Sequence, residues 1–220
     1  TVASIADTAA NCNPNGAIHG LFTANSGIAV ALSDTTITDV ADINRIKAAT
    51  TGDVSATASG TAAVLQGLTA STTDTLNLTV TGAAASVTHG AAIADATIGT
   101  VDFSAGGLDD TTTNLSADTY AALDKVVAKD GDVVITISDA ANGTIVSTVL
   151  STIGGKTTGD VTLTNAQTVT GSEAELTAAL ITAGSKVILG GSSPLTMSGS
   201  GAYDKVQALA GVTNAGNITG

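Results

Sequence analysis

Apolar residues in this chain alternate with threonine and serine in short runs, and each run is followed by an Ala-rich stretch whose apolar positions recur every three or four residues. The alternating runs are Ile28 to Leu32, Val54 to Ala58, Leu76 to Val80, Val101 to Phe103, Val133 to Ile137, Val161 to Leu163, Val187 to Leu189, and one opening at Ile218. Alternation of this kind predicts strands with one buried face. Their starts are 26, 22, 25, 32, 28, 26 and 31 residues apart. A loose period of this length predicts stacked repeats, each burying its apolar face against its neighbours. A β-then-α unit repeated in one direction gives parallel strands. The expected fold is therefore α/β: a solenoid of about eight β-α coils with short Ala-rich helices, forming one array over residues 1–220.

The unit is clearest at Val161 to Leu180. Val161 and Leu163 alternate with threonines, and a second alternation surrounds Val169. Ser172 and Glu175 then have capping-box spacing, and Leu176, Ala179 and Leu180 share a helical face. Further helices are predicted from the stripes Ile43/Ile46/Ala49, Leu65/Leu68, Tyr120/Leu123/Val127, Ile145/Val149/Ile153 and Tyr203/Val206/Leu209. Ser116 is read as opening the third of these and Gly154-Gly155 as closing the fourth. Ala83 to Ala96 reads as the weakest copy, with a turn or two of helix. Ala17 to Phe22 reads as a helix, and Ser4 to Asn11 as the tail of a unit. Second short strands are expected at Thr36 to Asp39, Thr168 to Thr170 and Pro194 to Ser198. Ser55, Thr57, Thr79, Thr136, Thr162 and Thr164 should point away from the apolar set. That face is read first as the β propensity of threonine, with a flat binding surface as the alternative.

Several phrases also carry a resemblance. Ile5-Ala-Asp-Thr-Ala-Ala-Asn11, Ile37-Thr-Asp-Val-Ala-Asp-Ile-Asn44, Ala48-Ala-Thr-Thr-Gly-Asp-Val54 and Ser59-Gly-Thr-Ala-Ala-Val-Leu65 resemble the degenerate repeats of large secreted bacterial surface proteins, notably of marine cyanobacteria, and of related phage structural proteins. The resemblance implies extracellular display, adhesion or assembly into fibres and layers. It brings no catalytic residues. The calcium-binding nonapeptides of many such proteins are missing from this sequence.

Composition narrows the function. Aromatics make up 2% of the chain and there is no Trp, so the core must be filled by thin aliphatic layers. Seven basic against nineteen acidic residues give a net charge of −12. Such a surface repels phosphate, which argues against nucleic-acid binding and anionic membranes. No apolar run reaches the roughly 18 residues that would predict a membrane span.

Candidate chemistry is sparse. His19 and His89 are isolated, and Cys12 is the only cysteine, so zinc sites of the usual kinds lack ligands. Cys12 is read as a small buried hydrophobe, with intermolecular pairing as the alternative. No nucleophile elbow or P-loop occurs, and no enzymatic activity or cofactor is expected. Asp109-Asp110 and Asp130-Gly-Asp132 are acidic pairs in turns. They read first as solvated carboxylates and second as weak Ca²⁺ candidates. The sequence opens mid-unit at Thr1 and closes as a strand begins. Either further repeats continue it or its uncapped ends join copies head to tail in a homo-oligomer. A structural, self-assembling extracellular protein is therefore expected, with an adhesin or carbohydrate-binding stalk as the alternative.

Overall fold

A computed structural model describes residues 2–14, 20–182 and 184–220. The described residues form ten helices and thirteen strands, mixed α/β with every sheet parallel. They divide into two compact units, 1–106 and 107–220.

The first unit runs β1 (Ser4–Asp7), α1 (Ala9–Cys12), α2 (Gly20–Ala24), β2 (Ala29–Leu32), α3 (Ala41–Ala49), β3 (Val54–Thr61), α4 (Ala62–Leu65), β4 (Thr75–Thr81), α5 (Val87–Asp95) and β5 (Val101–Asp102). Its five strands lie side by side in chain order. The side-chain period of two sorts each strand: β3 and β4 bury alternate residues strictly, with Ala56 and Ala58 facing Leu76 and Leu78 across a continuous register. Ile43, Ile46, Leu65 and Ile93 on the helices are fully buried.

The second unit runs β6 (Leu108–Asp110), α6 (Thr112–Leu115), α7 (Ala117–Val127), β7 (Ile135–Ile137), β8 (Thr144–Val146), α8 (Ser147–Lys156), β9 (Val161–Leu163), β10 (Thr168–Gly171), α9 (Glu173–Leu180), β11 (Val187–Ile188), β12 (Ser193–Met197), α10 (Tyr203–Ala210) and β13 (Ala215–Thr219). It holds two parallel sheets, β6-β7-β9-β11 and β8-β10-β12-β13. In the first, Leu108, Ile135, Val161 and Val187 stand in one buried row. In the second, Ile145, Val169 and Leu195 form another, which Ile218 continues half-buried. Each added strand thus extends an existing aliphatic row.

Several expectations are corrected. Ile145 lies in β8, where it pairs with Val169, so α8 starts at Ser147 and buries Leu150 and Ile153. Gly154-Gly155 does not close α8, which runs on to Lys156. Strands β1, β6 and β8 form where none was expected. The second strand at Thr36 to Asp39 shrinks to a single bridge between Thr36 and Ser59. Conversely, α5 is a nine-residue helix capped by the Ser86 side chain, among the longer ones present. Ser116 precedes α7 without a side-chain cap, and Asp118, Thr119 and Tyr120 there adopt left-handed backbone angles. Of the two tyrosines placed on buried helix faces, Tyr203 is 82% exposed and Tyr120 half-buried. The predicted helix at Ala17 to Phe22 falls partly outside the described residues, as does His19.

Candidate functional site

Two recurring boxes account for most of the polar residues that stand out. The first is Thr-x-Gly-x-Val, at Thr50–Val54, Thr97–Val101 and Thr157–Val161, where a helix ends and a strand starts. The threonine is buried in each. Thr97 Oγ1 lies 2.8 and 3.0 Å from the carbonyl oxygens of Leu76 in β4 and of Asp74 just before it, and it accepts the Gly99 N–H at 2.8 Å. Thr157 repeats this with Val133 and Gly131 and with the Gly159 N–H, and Thr50 with Ile28 and Ser26 and the Gly52 N–H. One hydroxyl thereby fastens each turn to the coil beneath it. The glycine is obligatory because a Cβ would collide with the carbonyl oxygen of Ile28, Leu76 or Asp132 below.

The second box is Asp-Thr-x-x-Asn, at Asp7–Asn11 and Asp110–Asn114. The threonine caps a short helix, and the aspartate accepts both the threonine N–H and the asparagine amide. A carboxylate from the next coil, Asp34 or Asp139, then accepts the N–H of Ala9 or Thr112. These bonds hold the Asp7 carboxyl below its ordinary pKa, with the Asn11 amide the main cause.

This box decides how two of the acidic candidates are placed. Asp109 and Asp110 are consecutive in β6, so they project to opposite faces: Asp109 is exposed, whereas Asp110 is buried and committed to Thr111 and Asn114. Asp130 is half-buried and Asp132 exposed at the turn before β7. No cluster of three or more His, Cys, Asp or Glu side chains disposed to hold a metal occurs among the described residues. A recess of about 170 Å³ in the first unit is lined by Asp34, Asp39 and Asp42, but each carboxylate already accepts from Ala9 N, Ala41 N or the Asn13 amide. Cys12 occupies the position that Leu115 takes in the second box and is likewise buried, as a free thiol. Burial pushes its pKa up, and Asp7 and Asp34 add to the effect. His89 is half-buried on α5.

A buried ion pair went unread in the sequence. Lys47 Nζ lies 3.4 Å from Asp74 and donates to the carbonyls of Thr69 and Ala96, so one ammonium ties together three successive coils. Burial lowers the Lys47 pKa, and Asp74 opposes that shift. No sequence pattern marks this pair, because its members are 27 residues apart.

The remaining surface is the outward side of the sheets. Ser55, Thr57, Ser59 and Thr61 stand in register with Thr75, Asn77, Thr79 and Thr81, an uncharged array of hydroxyls and one amide. Thr136 and Thr162 pair in the same sense in the second unit. The expected hydroxyl face is therefore present, half-exposed to exposed. No helix is long and apolar enough to cross a membrane among the described residues. In comparisons with known proteins, no family model, no curated protein and no solved structure matches the chain.

Proposed function

We propose that this chain is a structural, self-assembling extracellular protein, a surface fibre, layer or virion appendage, built from stacked β-α repeats as a solenoid of about eight coils. The observation that carries the reading is the set of aliphatic rows extended by parallel strands in chain order within each sheet, with half-buried Ile5 and Ile218 on β1 and β13, each an edge strand of its own sheet. An edge strand with unpaired amides and an unfinished apolar row is a template for another strand. The polar boxes serve the fold: the threonines in them are spent on backbone groups, and each aspartate on a backbone N–H and on the asparagine amide four residues on. The reading assigns no catalytic residue and involves neither nucleic acid nor a cofactor. Sedimentation across a concentration series tests it, with assemblies well above the 21.1 kDa protomer expected. A monomer at every concentration, with or without divalent cations, overturns it.

The adhesin reading keeps one specific support. Tyr203 is 82% exposed on α10, so one aromatic platform is open to a sugar ring. Glycan-array binding that a Tyr203→Ala substitution abolishes would favour it over assembly.

A further inference from the structure

We infer that Asn142 is a self-modifying site that converts spontaneously to aspartate and isoaspartate. Among the described asparagines, Asn142 alone precedes a glycine. The pair forms the turn between β7 and β8, with Asn142 exposed at a φ of 64°. Its side-chain amide makes no hydrogen bond among the described residues, and neither does the Gly143 N–H. The asparagines Asn11, Asn13, Asn44, Asn114, Asn165 and Asn214 have their amides engaged.

The chemistry needs only solvent water. The Gly143 nitrogen, losing its proton to water or hydroxide, attacks Cγ of Asn142, and ammonia departs as the C–N bond of the side-chain amide breaks. The resulting succinimide is opened by water at either carbonyl, giving aspartate or, with the main chain rerouted through the former side chain, isoaspartate. A side chain at residue 143 would hinder the attack, and the fold keeps that position bare. A Cβ on Gly143 would sit 2.7 Å from the buried Gln167 Oε1, while Gln167 itself donates to the carbonyls of Asp139 and Ala140. The turn is held in place by Asn142 N–H on the Ala166 carbonyl and Thr168 N–H on the Gly143 carbonyl. Conversion adds one negative charge and destroys the Asn-Gly-Thr glycosylation acceptor. In the isoaspartyl product it also lengthens the backbone beside β8.

The test is incubation of the full folded chain in mildly alkaline buffer, followed by tryptic mapping. The fragment 130–156 reports Asn142, separately from Asn15-Gly16 in the fragment ending at Arg45. The expected result is isoaspartate at residue 142 before any other described asparagine reacts, together with an acidic species on isoelectric focusing that the Asn142→Gln variant fails to form. Reaction of Asn142 only after unfolding in urea, or the same acidic species from Asn142→Gln, overturns the inference.

Discussion

Thr157 satisfies groups on two coils with one hydroxyl, taking the Gly159 N–H and lying 2.7 Å from the Val133 carbonyl in a fully enclosed setting. Replacing it by valine keeps the volume and leaves those buried groups unpaired. Thr157→Val should destabilise the chain by about 1–3 kcal/mol, with Thr157→Ser retaining most of the stability, as read by urea unfolding. The opposite sign is expected at Thr119, which sits with Asp118 and Tyr120 in three consecutive left-handed conformations at φ 57°. A β-branched residue there costs roughly 1–2 kcal/mol that glycine avoids, offset in part by glycine's freedom when unfolded. Thr119→Gly should therefore raise the melting temperature. A fall would mean that the Thr119 side chain makes a stabilising contact.

At the scale of the element, the helix starts make the stability depend on acid. Glu175 completes the capping box of α9, and the Ser172 N–H and hydroxyl hold its pKa below the ordinary value. Asp7 is lowered in the same direction at α1. A carboxyl whose folded pKa is depressed stabilises the fold above its unfolded pKa, and that contribution fades as pH falls through the folded value. Stability measured by thermal melting should thus decline as pH drops below about 4, the unfolded carboxylate range. The Glu175→Gln variant should show a smaller decline. This box was legible because both partners lie within one turn. So was β9, where Val-Thr-Leu-Thr admits only the period of two. Strand β8 was not: Ile145, Val149 and Ile153 also fit a helical stripe, and only pairing with Val169 decides. Helix α5 lies in the segment Ala83 to Ala96 that reads as the weakest copy, yet the structure buries Val87, Ala91 and Ile93 along it. Asp109 and Asp110 read as a pair in the sequence, whereas strand alternation separates them, and the recurrence of Asp-Thr-x-x-Asn at Asp7 was the signal that assigns Asp110.

For the whole molecule, the net charge of −12 opposes any joining of copies, while the edges proposed to join are built from Ile5, Ile218 and backbone amides. Repulsion between like-charged copies acts over the Debye length, about 30 Å at 0.01 M salt and about 8 Å at 0.15 M. Strand pairing and apolar burial are short-ranged and hardly screened. Raising the ionic strength should therefore strengthen association, seen as a larger sedimenting fraction at fixed protein concentration. Ile218→Lys should weaken association at every salt concentration without altering the circular dichroism, because β13 is an outermost strand and Ile218 is only half-buried. Weakening with added salt would instead identify ionic contacts between copies, engaging the scattered lysines with carboxylates of a neighbour. An unchanged mass for Ile218→Lys beside an assembling wild type would move the junction away from β13 while leaving assembly itself intact.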